Sequence, residues 1–326
     1  MSHAIRVNEN GGPEVMQWEA VDPGQPGPGQ ALISQNAVGV NFIDVYFRTG
    51  LYPPPQLPFT PGMEGAGVVE AVGEGVADLK PGDRVAYASG PPGAYAERRL
   101  IAADRLVPIP DGISDEQAAG MMLKGMTAQY LLRRTFRVEP GHTVLIHAAA
   151  GGVGLIASQW AKHLGARVIG TVGSEEKAEL ARAHGCEHPI LYTREDFVER
   201  VKSITEGEGV DVVYDSVGQA TFMKSLDCLK PFGLMASFGQ SSGNVDPLNI
   251  GLLAQKGSLF LTRPTLFTYT AKRADLLDTA ADLFEVVNSG AVKVEVKQRF
   301  ALKEAAEAHR ALEGRQTTGS TVLMPG

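Results

Sequence analysis

Cysteine is nearly absent: the chain has two in 326 residues, Cys186 and Cys228, far apart and outside any paired motif. A disulfide framework is excluded, a reducing compartment is expected, and both thiols read as inert core or surface residues. No apolar run approaches the roughly 20 residues that a membrane span needs. Met1–Val7 carries no signal-peptide pattern, so a cytoplasmic location is the expectation. Basic clusters are missing as well. The net charge is −7, and Arg98-Arg99 and Arg133-Arg134 are isolated pairs, which disfavours a nucleic-acid-binding face. The seven histidines show no triad or metal spacing, and no G-x-S-x-G nucleophile turn occurs. His147 falls within an apolar strand and reads as a packed, hydrogen-bonded core histidine.

What is present is a chain of ordinary globular composition, 44% hydrophobic and 21% charged, too long for one comfortable core. Two domains are expected. To about Asp111 the sequence reads as β-rich: Ala31–Gln35, Gly67–Val72 and Arg84–Ala88 are short strands, separated by turn signals such as Asp22–Gly29 and Pro81-Gly82-Asp83. A barrel or a sandwich fits this rhythm. Ser114, with Gln117 three residues on, opens a helix, and a second helix is expected over about Thr127–Arg134.

Strands and helices then alternate. Strands are expected at Thr143–Ala148, Arg167–Val172, Pro189–Tyr192, Val210–Asp215, Leu234–Phe238 and Gly257–Thr262, with helices through Leu155–Leu164, Glu175–Ala183, Phe197–Ile204 and near Phe222–Leu229. Six such strands predict a doubly wound parallel sheet. The tail adds helices over Ala274–Val287 and Leu302–Leu312 and a last strand, Thr321–Met324.

Between the first strand of this series and its helix lies Ala149-Ala150-Gly151-Gly152-Val153-Gly154. A glycine turn in that place presents backbone N–H groups at a helix N-terminus, where they hold a pyrophosphate. The turn departs from G-x-G-x-x-G, with Ala149 at the first glycine position and Gly151 and Gly154 at the other two. It points to a nucleotide cofactor and so to an enzyme.

The ordered segments Val40–Asp44, Pro61–Gly67, Lys80–Val85, Ala149–Gly154 and Tyr214–Gly218 resemble the zinc-lacking NADPH:quinone oxidoreductases (zeta-crystallin-like) of the medium-chain dehydrogenase/reductase superfamily, over essentially the whole chain. The resemblance implies an α/β fold in which a Rossmann domain, 126–266, is inserted into a partly open β-barrel domain of the GroES-like type, 1–125 plus 267–326. It also implies a substrate cleft beside the nicotinamide and a homodimer formed through an outer sheet edge, here Leu259–Thr262.

The zinc branch of the superfamily is the nearest rival. Its first ligand position holds Asn41 here and its second, in Gly62-Met63-Glu64, holds Met63. Amide and thioether groups are poor Zn²⁺ ligands. Asp44 and Glu64 remain and are expected to hydrogen-bond within the barrel or to orient cleft residues. A metal-free site suits an acceptor that is already electrophilic, a quinone or a conjugated enone, better than an alcohol.

NADPH is preferred over NADH, because the second strand ends Val172-Gly173-Ser174 with no acid for the ribose 2′-OH. By resemblance Gly173, Ser174, Lys177 and Tyr192 bind the 2′-phosphate, with Arg315 a further candidate. Gly152 and Val153 belong to the glycine turn expected to hold the pyrophosphate, and the resemblance implies that Phe42, Tyr46, Thr127 and Tyr130 contact cofactor. Ser216 and Val217, then Phe238, Gly239, Gln240, Ser241 and Ser242, then Arg263, Pro264, Thr265 and Leu266 follow the last three parallel strands, at the ends where ligands sit.

Asn41, Tyr46, Tyr52 and Lys124 are the candidate catalytic residues. The aromatic faces suit a flat quinone; Tyr46 and Phe47 fit a core role equally well on pattern alone, and Lys124 reads as a cleft cation or as a surface residue. The expected function is NADPH-dependent quinone reduction. Reduction of alkenals or enones, and a non-catalytic NADPH-binding role, structural or RNA-binding, are the alternatives.

Overall fold

The computed structural model describes residues 2–326, which divide into two compact units. One runs through Met126 and includes Tyr269–Asn288 and Val294–Gly326; the other is Thr127–Thr268 with Ser289–Lys293.

In the first unit a seven-stranded sheet runs in the order Val296–Ala301, Ser320–Met324, Gln30–Gly39, Glu64–Val72, Arg84–Tyr87 and Val107–Pro108, with Arg98–Ala102 also paired to Gln30–Gly39. Gln30–Gly39 pairs Arg98–Ala102 along its first half and the C-terminal strand at Val38 and Gly39. Two register shifts against Glu64–Val72 bend it, as bulges do in curved sheets. The C-terminal strand thus completes the barrel-like sheet, as expected. Ile33, Val38, Val69, Val85, Leu106 and Leu323 fill its core.

The second unit is the parallel sheet, six strands in the order His188–Leu191, Arg167–Val172, Thr143–Ile146, Val210–Asp215, Leu229–Ser237 and Phe260–Thr262. Numbered along the chain this is 3-2-1-4-5-6, the dinucleotide-binding order. Leu145, Ile169, Ile190, Val213 and Met235, one from each of five strands, share a single apolar cluster with Phe197 and Val201. Pro189, which donates no backbone hydrogen bond, lies in an edge strand, where its loss is tolerated.

Several elements differ from expectation. The helices expected at Ser114 and at Thr127 are one, Asp115–Tyr130, followed by a wider π turn at Leu131–Thr135. Gly120 and Gly125 punctuate the sequence but not the helix. A Cβ at Gly125 would stand 2.4 Å from Leu283, and the Gly120 carbonyl accepts from the Ser320 hydroxyl at 2.6 Å, so both glycines permit close packing. Lys124 and Thr127 therefore lie well along a helix and do not open it. The Ser114 start stands: Ser114 Oγ accepts from Gln117 N and Gln117 Oε1 from Ser114 N, each at 3.2 Å. The helix expected near Phe222–Leu229 is a short α turn, Phe222–Ser225, and a 3-10 turn. A helix at Phe42–Thr49 went unread.

Candidate active site

In the parallel-sheet unit the glycine turn follows Ile146. Ala148 occupies the left-handed region, φ 54, and its carbonyl accepts from Gly151 N at 2.8 Å. The helix Gly152–His163 starts at once, with no acidic residue in its first turn. A Cβ on Gly154 would stand 2.3 Å from the Ala148 carbonyl oxygen, so the helix and turn approach too closely for any other residue. Gly152 and Val153 lie at that helix N-terminus, as read from the sequence.

At the tip of the second strand, Ser174 caps the helix Glu175–Ala183 and accepts from Lys177 N at 3.3 Å. The Tyr192 hydroxyl lies over Gly173, 2.8 Å from where a Cβ would stand, and Tyr192 is 43% exposed. Gly173, Ser174, Lys177 and Tyr192 are thus gathered around one strand end. Glu175, the acid nearest that end, is turned to Arg194 at 3.2 Å. Arg194, unread in the sequence, meets this carboxylate in an exposed ion pair.

The loops after the fourth and fifth strands are laced together. Buried Asp215 accepts from Val217 N (2.7 Å), Gly218 N (3.1 Å) and Thr221 Oγ1 (2.8 Å). Phe238 N donates to Asp215 O at 2.8 Å, Ser241 N to Ser216 O at 3.1 Å, and Ser242 Oγ to Val217 O at 2.7 Å. The candidates Ser216, Val217 and Phe238–Ser242 therefore form one surface. Because Ala236 pairs Thr262, Arg263–Leu266 leaves the sheet at the same end. Thr127 and Tyr130 are buried on the long helix. His147 lies just beyond the opening strand, bonded to Thr171 Oγ1 (2.9 Å) and Ser225 Oγ (2.8 Å), the packed role expected of it. Cys186 and Cys228 are free and buried, each thiol pushed up to about 12 by burial.

In the barrel unit Asn41 heads the helix Phe42–Thr49. Its amide donates to Glu64 Oε2 at 2.7 Å, Lys124 Nζ donates to the same oxygen at 3.1 Å, and Leu123 N donates to Glu64 Oε1 at 2.7 Å. Lys124 is 6% exposed and is therefore no surface residue. Asp44 Oδ2 accepts from Asn41 N at 2.8 Å, closing the reverse half of a capping box. Asp44 and Glu64 thus do what was expected of them. Burial pushes the Asp44 carboxyl up to about 7, against the pull of the Asn41 N–H, the Tyr95 hydroxyl and Lys124.

The same helix carries Phe42 and Tyr46, whose ring centroids are 6.0 Å apart, and Tyr46 lies 5.1 Å from Tyr52. Three of the aromatic candidates are one cluster beside Asn41. Arg315 stands exposed in a left-handed turn after the helix Ala305–Glu313.

The metal ligands of the zinc branch do not fit these residues. The Asn41 amide is engaged by Glu64, Met63 offers only a buried thioether, and among the described residues no group of three His, Cys, Asp or Glu is placed to hold a metal ion.

Two family models match: the alcohol dehydrogenase GroES-like domain over residues 27–111 and the zinc-binding dehydrogenase domain over 152–282. A quinone oxidoreductase of Pseudomonas aeruginosa is 53% identical over 325 residues, all of both chains. The chain belongs to the quinone oxidoreductase family. Within that family its fold is similar to the crystal structure of the Escherichia coli quinone oxidoreductase complexed with NADPH, with a TM-score of 0.97 and 50% identity over 99% of this chain and 100% of that one. A 2-haloacrylate reductase of Burkholderia sp is 49% identical over 100% of this chain and 99% of its own. The fold class read from the sequence, a parallel dinucleotide-binding sheet with a GroES-like domain, is the one this family has.

Arg194 in one unit, and Tyr95, His309 and Arg48 in the other, were missed as site-supporting residues, because their partners are distant in the chain.

Proposed function

We propose that this protein reduces quinones with NADPH and without zinc. The observation that carries the cofactor reading is the tip of the second parallel strand. No acid stands there: Glu175, the first acid after it, lies in an exposed ion pair with Arg194, Ser174 caps the next helix on Lys177 N, and the Tyr192 hydroxyl lies over Gly173. Such a set accepts a 2′-phosphate and offers a ribose 2′-hydroxyl no carboxylate. The Gly151–Gly154 turn takes the pyrophosphate, and the Ser216–Gly218 and Phe238–Ser242 loops, with Arg263–Leu266, hold the nicotinamide half; Phe42, Tyr46, Thr127, Tyr130 and Arg315 are the further contacts we assign.

When bound, NADPH supplies a hydride from its nicotinamide C4. Tyr46 and Tyr52 offer aromatic faces to a flat quinone. Asn41 and Lys124, both held by Glu64, face charge that grows on the reduced oxygen, and water completes the hydroquinone with a proton. Proximity in a water-poor site supplies most of the acceleration. We place the protein in the cytoplasm as a homodimer. The unpaired edge of Phe260–Thr262, where Phe260 is 60% exposed, supports edge-to-edge pairing.

Steady-state kinetics test the cofactor reading. Lys177→Ala should raise KM for NADPH about tenfold, the worth of one charge-assisted contact, and leave NADH nearly unchanged; equal effects on both would remove Lys177 from phosphate recognition. A second reading, reduction of an activated carbon–carbon double bond, is favoured by the likeness to a 2-haloacrylate reductase. A panel of quinones, enones and haloacrylates separates the two, and inert quinones beside active alkenes would overturn the first.

A further inference from the structure

Four buried side chains of the barrel unit form a hydrogen-bond chain with one permitted direction. Arg48 has donors only. Its Nη1 lies 3.0 Å from His309 Nδ1, so Nδ1 accepts, and the proton of the neutral ring sits on Nε2. Nε2 lies 2.9 Å from the Tyr95 hydroxyl, which accepts from the ring and turns its own proton to Asp44 Oδ2, 3.1 Å away. Arg48 cannot swing, because its two terminal nitrogens each donate to Glu313 at 2.8 Å and Nε donates to Gly11 O at 3.1 Å.

Asp44 Oδ2 therefore accepts two fixed donors, Tyr95 and Asn41 N, while Oδ1 is buried without a partner. The charged groups facing it are already matched: Glu64 holds Lys124, and Arg48 holds Glu313. Tyr95 and His309 are neutral, His309 being pushed down to about 3 by burial and by Arg48. No cation bonds Asp44 directly: Lys124 attracts it only from its place on Glu64, and buried Arg99 lies against the Tyr87 ring. A buried carboxylate with a bare oxygen is costly, and a proton on that oxygen removes the charge.

We propose that Asp44 is a further positioning residue of this site, a carboxylic acid that keeps an exchangeable proton on Oδ1 and, on losing it to solvent, adds one negative charge beside Asn41 and the Glu64–Lys124 pair. Its kinetic consequence rests on the quinone-reduction reading. The added charge opposes growth of negative charge on a quinone oxygen, so kcat falls as Asp44 ionises. Burial sets this transition near neutrality.

Infrared difference spectra of the whole protein against pH, without cofactor or quinone, read the carboxylic-acid carbonyl directly. A buried-acid band is expected below the transition, lost above it, absent from Asp44→Asn, and shifted to higher pH in Tyr95→Phe, which removes a donor to the ionised form. A band that does not titrate, or that survives in Asp44→Asn, overturns the proposal whatever the protein reduces. Should Asp44→Asn fail to fold, the Tyr95→Phe shift decides. With a quinone, wild-type kcat should fall about tenfold across the transition and Asp44→Asn should show no fall. A rate indifferent to a transition seen in the infrared overturns the kinetic part. A titrating band in a protein inert to quinones leaves Asp44 as described and overturns the substrate reading instead.

Discussion

In the parallel-sheet unit, Gly151–Gly154, Ser216–Gly218 and Phe238–Ser242 are shaped by backbone contacts, with Asp215 as their main side-chain support. In the barrel unit the candidate site is built almost wholly from side chains. Asn41, Asp44, Glu64 and Lys124 hold one another, and Tyr95, His309 and Arg48 stand behind them. Backbone turns present N–H groups to any anionic ligand and tolerate changes in side chain. A buried side-chain network does not, because each lost partner leaves a polar group unmatched. The two candidate regions thus rest on different physical footings.

Glu64→Ala is the strongest way to break the comparison. It leaves the Lys124 ammonium buried without its counter-ion, and a loss of about 3–5 kcal/mol in urea unfolding is expected. A loss below 1 kcal/mol would mean that the network is dispensable. The pH dependence of stability comes next, with opposite signs at two residues. His309, lowered from 6.5 to about 3, contributes stability above its unfolded value that is lost as pH falls toward 3. Asp44, raised from 3.8 to about 7, contributes stability below its unfolded value that is lost as pH rises toward 7. Each limb is on the order of 4–5 kcal/mol. His309→Gln should flatten the acid limb and Asp44→Asn the other, and unchanged limbs would remove these groups from the account.

Gly154→Ala probes the backbone-built side. Its Cβ meets backbone atoms that cannot rotate away, so a loss of about 1–3 kcal/mol and weakened NADPH binding by calorimetry are expected. Tyr192→Phe should be mildest, about 1 kcal/mol of NADPH affinity with no change in melting temperature. A large stability loss there would make Tyr192 a structural residue.

The parallel sheet and its glycine turn were legible because their signals are local: apolar runs, a turn between strand and helix, and the absence of an acid after Val172; the strand order, set by which strands pair, was not. The division of Asp115–Tyr130 into two expected helices was not local in origin: Ser320 and Leu283, distant in the chain, pack against Gly120 and Gly125 within one continuous helix.

The sequence by itself determined the fold class, the family, the glycine turn after the first parallel strand and the identity of the residues at positions 41 and 63. It left Lys124 open between cleft and surface, and it gave Tyr95, His309 and Arg48 no role. The tertiary structure buries Lys124 against Glu64 and joins Tyr95, His309 and Arg48 in one hydrogen-bond chain. The bonds concerned join residues 23, 60, 214 and 261 positions apart, and no periodicity or spacing along the chain carries information over such separations. Burial, which sets the charge state of Asp44 and His309, is likewise a property of what packs around a residue and not of its neighbours in sequence.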